Sequence, residues 1–359
     1  MKKVLKGIGI FLLILVLLIA AFFAFLTVTQ LDPKSAGADA NLMLDRSESN
    51  RSFSEGDSID VLSWNIGYGA LGKESDFFMD GGEQTRPESR SVVEKNMEGI
   101  IAQIQSVDAD FSILQEVDSG STRSYGVKET AAIADATGLM NFYALNYKCA
   151  FVPFPWPPLG KVSSGLFTLS TAQEVSASER IALPSPFSWP VSTANLKRCL
   201  LVTTFPLEGS DKQLVLVNLH LEAYDDGEGK AAQTKVLTEF LREQYEAGNY
   251  VIAGGDFNQT FPGGLDFYPV INNELWTPGL LDESNLPGEG WQFAYDTKTP
   301  TCRLLNMPYD PSDPATQYYV IDGFIVSPNV QLNSVETIDA GFAFTDHNPV
   351  HLNVTLSAD

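Results

Sequence analysis

Residues 250–258 read YVIAGGDFN, an apolar run that ends in two glycines, an aspartate and an asparagine. A short apolar run bounded by glycine and followed by polar residues is typical of a buried strand with functional side chains at its end. Similar runs, rich in β-branched and aromatic residues, recur from residue 59 to the end of the chain. They read IDVLSWN, FSILQEV, NFYALNY, SGLFTLS, KRCLLVTTF, QLVLVNLHL and YYVIDGFIV.

Two segments between these runs have the periodicity of amphipathic helices. Residues 88–106 and 230–246 place apolar side chains near a period of 3.6 residues. Strands outnumber helices, and no internal repeat is visible. We therefore predict one mixed α/β domain over residues 57–359, with stacked sheets and helices outside them. The segment 261–318, rich in Pro, Gly and Asn, is interpreted as long loops within this domain.

The N-terminus has the pattern of a membrane anchor. Residues 7–28 contain no charged side chain, and a helix of that length reaches about 33 Å, enough to cross a bilayer. Lys2, Lys3 and Lys6 precede it, so the positive-inside bias predicts a cytoplasmic segment at 1–6 and an extracytoplasmic large domain. The alternative is a cleaved signal peptide, which has a shorter apolar region followed directly by its cleavage site.

The nearest A-x-A pattern, Ala38-Asp39-Ala40, lies well beyond that apolar run. The sequence therefore favours a retained transmembrane helix at 7–28 and a single-pass protein of the cell membrane. Residues 29–56 are rich in Ser, Asp, Asn and Gly without an apolar period, which predicts a flexible tether.

The charge balance disfavours one class of partner. The chain has 23 basic and 45 acidic residues, a net charge of −22, and three of the basic residues precede the apolar segment. So acidic a surface repels polyanions, which argues against binding of long nucleic acid through its phosphates. Three cysteines without a close spacing favour neither a disulfide framework nor a structural zinc site.

Polar residues that can bind metals or transfer protons follow several of the predicted strands. Taken singly, Asn65, Glu116 and the turn at Asp256 and Asn258 have ordinary explanations as turn residues or a salt-bridged carboxylate. Asp322 lies inside an apolar run and needs a partner, for which His347 is a candidate, because an unpaired buried carboxylate is costly. His351, in the last strand, points away from the alternating apolar face and is interpreted as structural. Together, the other residues predict one crevice at the ends of the strands. They are Asn65, Glu116, His220, Asp256, Asn258, Asp322, Asp346 and His347.

The ordered set of motifs resembles the endonuclease/exonuclease/phosphatase superfamily, a group that includes deoxyribonuclease I-like enzymes, sphingomyelinases and inositol polyphosphate phosphatases. The motifs are SWN, LQE, SGLFTLS, NLHL, GGDFN, VIDGFIVS and TDHNPV, in the family's order. The resemblance implies a four-layer α/β/β/α sandwich of two mixed β-sheets flanked by helices. It also implies metal-assisted hydrolysis of a phosphate ester, with Mg²⁺ as the expected ion and Mn²⁺ as the alternative.

By the same resemblance, Glu116 is the main metal ligand, Asn65 helps to hold the metal or the phosphate, and Asp346 contacts a metal, either the same ion or a second one. Asn258 binds the metal or the phosphate, and Asp256 orients or deprotonates the attacking water. Asp322 pairs with His347, and either His347 or Asp256 accepts the proton. His220 donates to the phosphate or protonates the leaving group.

The substrate remains open at this point. A phosphodiester is favoured, carried by a lipid head group or a nucleotide. The alternatives are sugar or inositol phosphate monoesters, sphingomyelin, nucleic acid outside the cell, and a non-catalytic binding protein on the same fold. One departure is Gly67, which stands where some abasic-site enzymes have an acidic residue. Two apolar, proline-rich segments containing Trp156 and Trp189 are read either as rigid loops or as an aromatic lip at the membrane interface.

Overall fold

A computed structural model describes residues 2–31, 42–43, 49–225 and 227–358 of the chain. Its first sheet has seven strands. In spatial order they are β1 (Leu42–Met43), β4 (Met140–Val152), β5 (Gly160–Ser170), β3 (Phe111–Asp118), β2 (Ser58–Asn65), β17 (Val350–Leu356) and β16 (Val330–Thr337).

The second sheet has six strands. They are β12 (Gln292–Ala294), β15 (Asp322–Val326), β9 (Tyr250–Asp256), β8 (Gln213–His220), β7 (Cys199–Pro206) and β6 (Ala177–Ala182). Two short pairs lie outside the sheets, β10 (Gln259–Thr260) with β11 (Gly279–Leu280) and β13 (Cys302–Arg303) with β14 (Tyr318–Tyr319).

The helices are α1 (Lys2–Thr29), α2 (Arg90–Val107), α3 (Glu129–Thr137), α4 (Glu228–Glu246) and α5 (Gly264–Phe267). Short 3₁₀ turns occur at Gly67–Gly69, Phe78–Asp80, Val191–Ala194 and Glu283–Asn285. The helix α2 connects β2 to β3, and α4 connects β8 to β9. Both strand pairs are parallel, because a helical crossover returns the chain to the edge where it started.

The two sheets pack face to face around the largest apolar core. Phe111 of the first sheet and Phe205 of the second lie with ring centroids 4.9 Å apart, and both rings are buried. Burial of one such ring stabilises the fold by roughly 1.5–3 kcal/mol. A second core joins α2 and α3 to the outer face of the first sheet, and a third joins α4 to the outer face of the second. The predicted α/β/β/α sandwich is therefore confirmed.

The N-terminal helix α1 contains the predicted span 7–28 and is long and apolar enough to cross a membrane. A signal sequence near the N-terminus can also form a long apolar helix, so crossing the membrane stays a prediction. The last two turns of α1 contact the domain, where Leu26 is buried against Tyr147, Val152 and Leu159.

The predicted tether, 29–56, lies partly outside the described residues. Its last part, 49–56, packs on the domain. Phe53 is buried in the core between the sheets and pairs with Leu207 through an isolated β-bridge, and Arg51 forms an ion pair with Asp110. Residues 49–56 therefore contact the domain through the buried ring of Phe53 and the ion pair of Arg51, and the boundary at residue 57 stays a prediction.

Candidate active site

The strand register brings the predicted polar residues to one edge of the sandwich. In the parallel pair β8–β9, His220 lies beside Asp256, and both are the last residues of their strands. The strand β15 runs antiparallel to β9, so its first residue, Asp322, lies opposite Asp256 at the same edge. Asn65 ends β2 in the first sheet.

A glycine allows this arrangement at the end of β9. Gly255 has a φ of +146°, and a Cβ atom there would lie 1.9 Å from the carbonyl oxygen of Leu219 in the neighbouring strand. Any side chain would push β8 away from β9 and separate His220 from Asp256. The glycine of the GGDFN motif is therefore a packing requirement that positions the two polar residues.

The Asp256 carboxylate lies at the centre of the polar residues. Its Oδ2 accepts a hydrogen bond from Asn65 Nδ2 at 3.0 Å and lies 3.3 Å from His220 Nε2 and 3.9 Å from His347 Nε2. Burial, together with the charge of Asp322, raises the pKa of Asp256 to about 7. Residues from both sheets and from the loop before β17 therefore meet at one carboxylate oxygen.

His347 is oriented by a buried carboxylate. Its Nδ1 lies 2.8 Å from Asp322 Oδ2, and its Nε2 lies 3.8 Å from Asp346 Oδ2. Because an ionised carboxylate only accepts hydrogen bonds, Nδ1 carries the proton and Nε2 points toward Asp256 and Asp346. Burial lowers the pKa of His347, but Asp322 and other neighbouring groups outweigh it and raise the pKa well above 6.5.

His220 lies in the opposite electrostatic environment. Burial lowers its pKa well below 6.5, and the positive charge of Arg198 lowers it further. Without any ligand, the protein thus favours a neutral His220 and a charged His347, and both rings lie next to the Asp256 carboxylate.

Glu116 reaches the same cavity from the first sheet. It lies in an irregularity of the pairing between β3 and β5, with a φ of +54°. The side chain of Asn65 links the two sheets, since its Nδ2 also lies 3.4 Å from Glu116 Oε1. The Oδ1 of Asn65 accepts a hydrogen bond from the backbone N–H of Gly67 at 3.0 Å.

Gly67 departs from the acidic residue of some relatives for a physical reason. Its φ is +52°, and a Cβ atom there would lie 2.9 Å from Thr345 Oγ1 and 3.1 Å from Asp346 Oδ1. A side chain at this position has no room, because the Asp346 carboxylate occupies the adjacent space. Asp346 is buried and places its own negative charge there.

The backbone of Asn258 holds the Asp256 carboxylate in place. Its N–H donates to Asp256 Oδ1 at 2.9 Å, and its Nδ2 donates to the carbonyl oxygen of Leu221 at 3.0 Å. The φ of +50° at Asn258 closes this turn. The two hydrogen bonds fix the Asp256 carboxylate relative to the end of β8.

The sequence analysis missed two arginines of the site. The Arg123 guanidinium lies 3.6 Å from the ring centroid of Tyr68 and forms an ion pair with Asp118 at 2.9 Å. Arg198 is buried and precedes β7. Arg123 lies in a loop and Arg198 immediately before a strand, so neither has the strand-end pattern of the other site residues, and only the three-dimensional contacts identify them.

These residues line a cavity of about 490 Å³. Seven of the eight predicted site residues line this cavity. The eighth, Asp322, does not line it but contacts the ring of His347, which does. The other side of the cavity is apolar and reaches the molecular surface. It is lined by Phe78, Val152, Phe154, Leu159, Val191 and Leu196.

The donor set fits a hard divalent cation. Among the described residues, two groups have ligand atoms within 4.8 Å of one another, one formed by Asp256, Asp322 and His347 and the other by Cys302, Asp346 and His347. Burial raises the pKa of Asp346, and the charge of Glu116 raises it further. The buried Oδ1 of Asp322 has no hydrogen-bond partner. The carboxylate oxygens in these groups suit Mg²⁺ or Mn²⁺, whereas the imidazole of His347 and the thiol of Cys302 are softer ligands.

The sequence matches the endonuclease/exonuclease/phosphatase family over residues 62–347. The fold and the site define a phosphate-ester hydrolase that presents carboxylates and histidines at the sheet edge. The chain belongs to the endonuclease/exonuclease/phosphatase family, whose enzymes generally use divalent metal ions. No curated protein matches this sequence.

Several solved structures share the fold. An endonuclease/exonuclease/phosphatase from Beutenbergia cavernae DSM 12333 aligns with a TM-score of 0.57 at 17% identity, covering 84% of this chain and 72% of that one. A family member from Bacteroides vulgatus gives 0.54 at 16% identity, with coverages of 84% and 100%. A truncated Caenorhabditis elegans TDP2 gives 0.50 at 17% identity, with coverages of 84% and 99%.

Proposed function

We propose that this protein is a membrane-anchored, divalent-metal-dependent hydrolase that cleaves a phosphodiester on the extracytoplasmic side of the membrane. The observation that carries the proposal is the buried Asp256 carboxylate, which lies between His220 and His347 and is tied through Asn65 to Glu116. Acidic and imidazole groups at this spacing are suited to activating water next to a phosphoryl group.

Glu116 and Asp346 would hold the metal, with Asn65 beside them. When bound, Mg²⁺ or Mn²⁺ neutralises charge on the phosphoryl oxygens and stabilises the leaving oxygen. Asn65 positions the carboxylates of Glu116 and Asp256 across the gap between the two sheets.

The proposal gives each of three residues a role in proton transfer or hydrogen bonding. Asp256 accepts a proton from the attacking water, whose oxygen forms the new bond to phosphorus as the ester P–O bond breaks. His347 has three carboxylates around its ring, at 2.8 Å, 3.8 Å and 3.9 Å, which stabilise its charged form. It gives its Nε2 proton to the leaving oxygen. His220 donates a hydrogen bond to a phosphoryl oxygen.

The anchor and the surface charge restrict the substrate. The proposal takes the long apolar helix α1 as the anchor, and the lysines before it favour an extracytoplasmic domain. The net charge of −22 disfavours long nucleic acid. Phosphodiesters attached to a lipid head group or a nucleotide remain as candidate substrates.

The test uses the full chain purified in a mild detergent, stripped with chelator and reloaded with Mg²⁺ or Mn²⁺. The panel holds a generic phosphodiester, a phosphomonoester, DNA, RNA and sphingomyelin. We expect metal-dependent hydrolysis of a diester, lowered at least ~10²-fold by Glu116→Gln and left unchanged by the surface control Glu274→Gln. Full activity in chelator would contradict the proposal. Protease added to intact cells should digest the large domain, and protection would reverse the orientation.

A further inference from the structure

The membrane helix and the cavity share a wall. Leu26 in the last turn of α1 is 2% exposed and belongs to the same apolar cluster as Val152 and Leu159, two residues that also line the cavity. Trp189 Nε1 donates a hydrogen bond to Thr27 Oγ1 at 3.0 Å. The end of α1 therefore lies directly behind the apolar side of the cavity.

Exposed apolar side chains surround this contact. They belong to two segments, 150–159 and 189–196, which we call the aromatic rim. The exposed fractions are 70% for Phe154, 88% for Trp156 and 61% for Trp189. The ring of Phe151 lies 6.5 Å from that of Phe22, and the ring of Trp189 lies 6.0 Å from that of Phe23. A soluble surface seldom groups so many large apolar side chains.

The length of α1 sets the depth of the rim in the bilayer. A hydrocarbon core of about 30 Å needs about 20 helical residues, and α1 has 28, with lysines at its first end. Counted from Gly7, the first residue after the lysines, about 20 residues end at Leu26, so residues 26–29 of α1 reach the membrane–water interface. Tryptophan side chains concentrate at that depth. The rim is joined to this end of α1 by the hydrogen bond from Trp189 to Thr27 and lies at the same level.

We propose that the apolar side of the cavity takes the acyl portion of a lipid phosphate ester, which enters from the bilayer through the aromatic rim. The inference rests on the proposed function and adds the substrate class and its entry path. Phe154 and Val191 are exposed and also line the cavity, so an apolar surface continues from the rim to the cavity. The phosphate of a lipid held there reaches the side occupied by Asp256, His220 and His347.

The experiment compares esters that differ only in their acyl chains. The full chain is reconstituted in phosphatidylcholine vesicles that carry phosphatidylglycerol, sphingomyelin or phosphatidic acid in turn, with Mg²⁺ present. Each lipid is compared with its water-soluble ester that lacks acyl chains. We expect kcat/KM for at least one lipid to exceed that of its soluble counterpart at least ~100-fold.

Variants of the cavity wall and rim test the path. Ala194→Trp adds bulk to the apolar wall and should lower the lipid-to-soluble ratio of kcat/KM at least ~10-fold. Phe154→Ser removes an exposed rim side chain and should lower lipid hydrolysis ~3–10-fold. Phe267 is equally apolar, is 62% exposed and lies outside the cavity lining, so Phe267→Ala is the matched control and should leave the ratio unchanged. Thermal unfolding of each variant checks its folding.

The two proposals fail in different ways. If no ester in either form is hydrolysed with metal, the proposed function is wrong. If the soluble esters or a generic diester are cleaved as fast as the lipids, and Phe154→Ser behaves like Phe267→Ala, the lipid path is wrong while the hydrolase remains.

Discussion

The two sides of the cavity are built in different ways. The polar side comes from residues at or near strand ends, such as Asp256 and His220, whose positions are fixed by the register of two sheets. The apolar side comes from the segments 150–159 and 189–196 and lies against the end of α1. We infer from this difference that the sheets determine the chemistry, and we propose that the loops and the anchor select the substrate. Substitutions on the polar side should slow the hydrolysis of every substrate. Substitutions on the apolar side should change the rates for some substrates more than for others.

The largest effect is expected from Asp256→Asn. The amide keeps the shape but cannot accept the proton of the attacking water, so kcat/KM should fall at least ~10³-fold on lipid and soluble esters alike. Steady-state kinetics on a matched pair of esters measures both values. His351→Gln is the control, because His351 pairs with Asp60 away from the cavity and should stay within about twofold of the wild type. A loss confined to the lipid would contradict the division between the two sides.

A smaller and more selective effect is expected from His347→Gln. If His347 protonates the leaving oxygen, an alkyl ester, whose alkoxide needs that proton, should lose ~10²–10³-fold in kcat. A p-nitrophenyl ester, whose leaving group departs without a proton, should lose only ~10-fold. Equal losses on both esters would exclude this role and return His347 to the list of candidate proton acceptors.

Much of the polar side could be predicted from the sequence. Side chains alternate along a strand with a period of two residues, and the register aligns the ends of neighbouring strands. Motifs such as NLHL and GGDFN therefore carry local information about the site. The structure places all eight predicted residues in or directly beside one cavity. Their catalytic roles stay predictions, because proximity alone assigns no proton transfer.

The apolar side and two of the charged groups could not be predicted in the same way. The contact between Leu26 and Leu159 joins parts of the chain with no regular spacing, and so does the stacking of Arg123 on Tyr68. The end of the predicted tether packs in the core through one apolar residue, Phe53, which stands in an otherwise polar segment. Such long-range packing leaves only a weak pattern in the sequence.

The central claim is that the carboxylates of Glu116 and Asp346 share one divalent cation at the edge of the first sheet. Calorimetric titration of the metal-stripped full chain with Mn²⁺ tests it most directly, since binding is read without substrate. We predict saturable binding whose Kd rises at least ~10-fold in Glu116→Gln and in Asp346→Asn, while His351→Gln binds as the wild type does. Binding that is unchanged in both carboxylate variants, or absent from the wild type, would contradict the account.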